Sequence, residues 1–163
     1  MKNFFTKDGG MEVERRLEAW SRKISERGGR MTRSRREVMR VLLEAEAPLS
    51  PREIRARARE HYPSLGLVTV YRTLDVLESL AFVRRVHRED GCHAYFPATP
   101  GHHHILLCRR CGRAIEFTGG SELAALIERL EAETGYRVED HLLQLLGLCP
   151  DCQAQLAQEE VHG

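Results

Sequence analysis

The chain has 163 residues, with 25 Lys+Arg against 24 Asp+Glu and 42% hydrophobic residues, enough for one ordinary domain or two small ones. No apolar run reaches the length of a membrane span, and the opening MKNFF lacks the continuous apolar stretch of a signal peptide, so a cytoplasmic protein without membrane contact is expected. Five cysteines in that compartment fit reduced thiols or metal ligands better than a disulfide framework.

The net charge of +1 conceals a split. Residues 1–86 carry 19 Lys+Arg and 12 Asp+Glu, whereas residues 87–163 carry 6 and 12. A basic first half suits a polyanion, and an acidic second half suits a different partner. All five cysteines and seven of the eight histidines lie in the second half, so metal chemistry belongs there.

In chain order, Met11 to Arg27 places Val13, Leu17, Trp20 and Ile24 at helical spacing and ends at Gly28-Gly29; it reads as an extension helix packing weakly on the main body. Thr32 caps a second helix to about Glu44, whose Val38, Val41, Leu42 and Ala45 make an apolar stripe. Ser50-Pro51-Arg52-Glu53 combines a Ser cap, Pro at the first helical position and Glu three residues after the cap, which starts a helix to about His61. After the turn at residues 62–66 a further helix runs from about Val68 to Leu80. Phe82 to His87 and His93 to Pro97 have strand character, with hairpin chemistry between them, and a hairpin after such helices makes a winged helix. The segment PATPG (97–101) is a hinge. Beyond it come a His-rich strand at His102–Cys108, a strand at Arg113–Phe117, a helix from Ser121 to Thr134 and a strand near Arg137 to Leu146.

The helix 68–80 turns Val70, Leu74 and Leu77 to one face and Arg72 directly away from it, with Tyr71 to the side. In a helix-turn-helix that helix enters the major groove, where Arg72 can bond a guanine edge while Thr69 and Tyr71 reach phosphates or thymine methyls. Arg30, Arg33 and Arg35, around the start of the Thr32-capped second helix, are candidate phosphate contacts, which position without specifying sequence.

Cys108-x-x-Cys111 and Cys149-x-x-Cys152 supply four thiolates, the ligand set of a closed tetrahedral zinc site whose role is folding rather than catalysis. The histidines have a different chemistry. On a strand His102 and His104 share a face and His103 points the other way, so one short segment can serve two sites. His141 and Glu122 are candidates to join the first, an imidazole–carboxylate site for an exchangeable divalent metal; His87, Cys92 and His93 lie near the second.

These residues resemble the ferric uptake regulator (Fur) family of bacterial metal-responsive repressors. The likeness rests on Arg30-x-Thr32-x-x-Arg35, on Gly66-Leu67-x-Thr69-Val70-Tyr71-Arg72-x-Leu74, on His102-His103-His104 ahead of Cys108-x-x-Cys111-Gly112, on Glu116-Phe117, and on His141 eight residues before Cys149. The resemblance implies an N-terminal winged helix, a C-terminal dimerisation domain, a homodimer on a palindromic DNA operator, a structural four-Cys zinc and one or two regulatory metal sites. It implies a first regulatory site at His102, His104, a helix-start glutamate and His141. Here Leu123 falls where that glutamate is expected, with Glu122 beside it. For the second site Ile105 replaces a common ligand histidine, leaving His103 with His87, Cys92, His93 and Glu116 as companions. A nearby thiol is similar to the zinc-sensing (Zur-like) branch.

The expected fold is therefore α+β: an extension helix at 1–28, a winged helix-turn-helix at 29–97, a hinge at 98–101 and a small α/β dimerisation domain at 102–163. The expected function is metal-dependent repression of transcription, with Zn2+ as structural metal and as favoured regulatory metal, and Fe2+ or Mn2+ as alternatives. Iron or peroxide sensing is the nearest rival. A zinc-dependent hydrolase is a remote one, opposed by the absence of His-Glu-x-x-His and of a nucleophile–base pair.

Overall fold

The computed structural model describes residues 10–88 and 91–161. They fall into two units, divided between Pro100 and Gly101.

The first unit is built from α1 (Gly10–Glu26), α2 (Arg33–Glu44), α3 (Pro51–Ala58) and α4 (Leu67–Ser79), followed by the hairpin of β1 (Val83–His87) and β2 (His93–Pro97). Local chemistry starts the helices where the sequence signals them. The Thr32 hydroxyl accepts from the Arg35 amide at the head of α2. At α3 the box is closed: Ser50 Oγ accepts from the Glu53 amide at 3.3 Å, and Glu53 Oε2 accepts from the Ser50 amide at 2.6 Å. Val38, Met39 and Leu42 of α2, Ile54 of α3, and Val70, Leu74 and Leu77 of α4 then interlock in one core.

α1 departs from the expectation of weak packing. Leu17, Trp20 and Ile24 are all buried in the same core, and Glu14 reaches both Arg36 and Arg40 of α2. Burying each such large apolar side chain is worth about 1.5–3 kcal/mol, so α1 is an integral fourth helix of this unit.

β1 and β2 pair antiparallel, from Val83 with Pro97 to His87 with His93. Tyr95 also exchanges both backbone bonds with Leu49, which ties the wing to the α2–α3 connection.

In the second unit β3 (His104–Cys108) is the central strand. β4 (Ala114–Phe117) pairs antiparallel on one side and β5 (Gln144–Gly147) parallel on the other. α5 (Ser121–Thr134) joins β4 to β5, and α6 (Pro150–Val161) follows. The sequence expectation of a strand over 137–146 is corrected to the short β5: residues 135–142 pass Gly135, in the left-handed region at φ 72, and run without ladder pairing, which opens where the Leu143 carbonyl accepts from the Ile105 amide. α5 has no buried residue, and Leu126, Leu130, Leu142, Leu145 and Leu146 are all exposed.

Candidate metal centres and nucleic-acid interface

The first unit presents α4 as a helix with two unlike faces. Val70, Leu74 and Leu77 are buried, whereas Val68, Tyr71 and Arg72 are exposed, so the outward position of Arg72 expected from the helical period holds. Thr69 is half-buried, and its carbonyl accepts from the hydroxyl of the buried Thr73. Arg33 lies over the Tyr62 ring, 5.6 Å from its centroid, which brings the start of α2 beside the α3–α4 turn. Tyr62 is a support the sequence reading passed over. Arg35 donates to the carbonyl of Arg30, while Arg30 and Arg33 are exposed. Basic side chains therefore flank the start of α2 while Arg72 stands out from α4.

In the second unit the two Cys pairs converge. Cys108 ends β3, Cys111 lies in the β3–β4 turn, and Cys149 and Cys152 straddle the start of α6. Gly112 completes the turn at φ 73, a conformation that suits glycine, and its amide donates to the Cys108 carbonyl. One sulfur atom from each residue lies within 4.8 Å of every other, and Cys111 Sγ is 3.7 Å from Cys149 Sγ. Four thiolates at about 2.3 Å from a tetrahedral zinc stand about 3.8 Å apart, so the set fits that ion. Burial works to raise the Cys108 pKa, but backbone amides of Cys111, Cys149 and Arg110 aimed at its sulfur outweigh it and bring the thiol to about 6. Burial and then the neighbouring thiols Cys149, Cys111 and Cys108 push Cys152 up to about 12. Arg113 pairs with Asp151 and Arg110 with Glu159, which fastens the first knuckle to α6.

His102, His104 and His141 form a second cluster, each offering a ring nitrogen within 4.8 Å of the others. Nε2 of His102 and Nε2 of His141 are 2.9 Å apart, close to the roughly 3.3 Å spacing of imidazole ligands around a tetrahedral ion. His104 is only 2% exposed, whereas His102 is open to solvent. Nitrogens crowded this closely suit a divalent cation of borderline softness. Glu122 is not among the groups of this cluster.

The wider second set is not brought together as one cluster among the described residues. His87 and His93 are cross-strand partners with ring centroids 4.6 Å apart. Arg88 donates its amide to the Cys92 carbonyl, so the His87–His93 pair one step along is the non-hydrogen-bonded kind, in which side chains approach most closely. Strand alternation sends Cys92 to the opposite face of the hairpin. His103 and Glu116 belong to the second unit; Glu116 is buried and pairs across the sheet with Ile105.

A basic winged helix carried on one chain with two clusters of metal-binding side chains defines a class, the DNA-binding regulators that answer to a metal ion. Comparison with known proteins narrows the class. The model of the ferric uptake regulator family matches residues 26–146. The chain is 31% identical over 147 residues to the ferric uptake regulation protein of Bacillus subtilis (strain 168), covering 88% of this chain and 98% of that one. Its fold is similar to that of the Helicobacter pylori ferric uptake regulator, a structure reported to reveal three functional metal binding sites, with a TM-score of 0.63 and 27% identity over 94% of this chain and 97% of that one. It is also similar to a zinc uptake regulator in complex with zinc and DNA, with a TM-score of 0.73 and 25% identity over 89% and 97%. The chain belongs to the ferric uptake regulator family. It is thus a metal-responsive transcription regulator and not an enzyme, and nothing supports the hydrolase alternative.

Proposed function

We propose that this regulator is a zinc-responsive repressor that acts in the cytoplasm as a homodimer on a palindromic operator. In this reading Cys108, Cys111, Cys149 and Cys152 hold a structural Zn2+, and His102, His104 and His141 hold the exchangeable ion that reports metal status. The single observation that carries the zinc assignment is the composition of the second cluster: three imidazoles and no carboxylate.

Two features support the rest. α5 buries nothing of its own, and leucines of α5 and β5 stand exposed in the same unit, as expected of a surface that a second copy covers. Arg72 faces outward from the recognition helix, and two such helices in a symmetric dimer read two half-sites one helical turn or a multiple apart. A metal that switches the population from 1:99 to 99:1 must bind the DNA-competent state better by about 5.5 kcal/mol.

The iron-responsive alternative has its own support in the names of the curated relatives. One experiment separates the two: metal-stripped protein that keeps its four-Cys zinc is titrated with Zn2+, Fe2+ and Mn2+ under anaerobic conditions while binding to DNA from its own promoter is followed. Zinc driving binding at the lowest free concentration supports the proposal. Activation by Fe2+ with no response to Zn2+ overturns it.

A further inference from the structure

Oxygen donors stand near the histidine cluster without entering it. Asp140 precedes His141 in sequence, yet its Oδ1 accepts from the His141 amide at 2.8 Å. Glu122 opens α5, but its carboxylate folds back over the loop: a methyl group placed on Gly120 would meet Glu122 Oε2 at 2.4 Å. The place beside the imidazoles is taken by an apolar side chain instead. A methyl placed on Gly119 would lie 2.4 Å from His104 Nε2 and 3.2 Å from Cδ2 of Leu123. His104 Nε2, the bare α-carbon of Gly119 and the end of Leu123 therefore converge on one point.

We propose that Leu123 and Gly119 determine the metal specificity of the histidine centre, closing it as a three-imidazole site and shutting out a carboxylate donor. The proposal rests on the reading that His102, His104 and His141 hold the exchangeable ion. Three neutral nitrogens suit Zn2+, Ni2+ and Cu2+, whereas Mn2+ depends on oxygen donors and Fe2+ gains from one. Leu123 is half-buried on a helix that buries nothing, so it can be exchanged for a polar residue without opening a core. Gly119 has the opposite character, because any side chain there collides with the His104 ring.

The test uses full-length protein with the four-Cys zinc in place and measures Zn2+ and Mn2+ affinity by equilibrium dialysis, with Co2+ absorption as a probe of coordination. Leu123→Glu is expected to raise Mn2+ affinity about tenfold or more, to change Zn2+ affinity far less, and to alter the Co2+ spectrum. Glu122→Gln should leave both affinities and the spectrum unchanged. Gly119→Ala should lose the exchangeable ion while retaining one zinc and a cooperative melt. An unchanged Zn2+/Mn2+ ratio in Leu123→Glu, or a loss of metal in Glu122→Gln, overturns the proposal while the metal site itself stands. A wild-type protein that takes up nothing beyond the thiolate zinc overturns both.

Discussion

Trp20 of α1 stacks on Phe82 at the entry to the wing, with ring centroids 5.1 Å apart and planes 2° from parallel. The contact fixes the first helix of the unit to the junction between α4 and β1, so α1 braces the element that presents Arg72. Trp20→Ala is expected to destabilise the winged unit by about 3–5 kcal/mol, the cost of emptying a buried aromatic site. Calorimetry that resolves the two units would show the first transition lowered and the second unmoved. A change below about 1 kcal/mol would mean that α1 is a loosely held extension after all.

Cys108→Ser and Cys149→Ser should each release the tightly held zinc and unfold or loosen the second unit, because ligand binding there is folding energy. Metal content and thermal unfolding measured on the same sample check this. A variant lacking zinc yet melting as wild type contradicts a structural role.

Where the metal-free second unit keeps its fold, its thiols carry a pH signature. Cys108 is held at about 6 against an ordinary 9.0, so in the folded unit its ionisation contributes stability that is complete above about pH 9 and is lost as the pH falls through about 6. Ultraviolet thiolate absorbance should therefore show one ionised thiol per second unit at neutral pH. Cys108→Ser should abolish that early step.

Arg72→Ala should weaken binding to cognate DNA by about 1–3 kcal/mol and relax preference at one base position. Arg33→Ala should weaken all sequences alike and flatten the salt dependence, as loss of a phosphate contact does. Binding isotherms on cognate and random duplexes at several salt concentrations distinguish the two. Equal loss on both duplexes for Arg72→Ala would remove α4 from the groove.

The three consecutive histidines should separate in function. His102→Ala and His104→Ala should lose the exchangeable ion as His141→Ala does, whereas His103→Ala should keep it, since only the first three cluster. Metal stoichiometry of the four variants decides the matter. Equal losses across all four would place a single site around the whole run.

What could be read from the sequence was what local rules govern. Ser50 and Glu53 announce a helix start because the capping box is closed within four residues. Val70, Leu74 and Leu77 mark the buried face of α4 through the helical period alone. His102 and His104 fall together and His103 apart, although the ladder begins only at His104. The rest depended on contacts distant in the chain. α1 looked peripheral because charged residues surround Leu17, Trp20 and Ile24, and only Phe82, far along the chain, shows where Trp20 goes. α6 was missed since its apolar residues are sparse, although Pro150 and Asp151 at its head were available signals. The grouping of Glu122 with the histidines followed from its place at a helix start, beside the position where the resemblance expects a glutamate, which says nothing about the direction its carboxylate takes from the first turn of α5.

β3 begins with His104 and ends with Cys108, and β5, its parallel partner, is flanked by His141 and Cys149. In the proposed assignment the two strands carry or are flanked by ligands for one centre at their starts and for the other at their ends, separated by about 13 Å of extended chain. Bringing them into register closes a long intervening loop, and that ordering cost is common to both ions. Whichever ion arrives first leaves less disorder for the second to remove, and thermodynamic reciprocity makes the enhancement equal in both directions. On the proposed assignment, the thiolate centre is then coupled to the histidine centre and sets how little free metal the latter needs in order to fill.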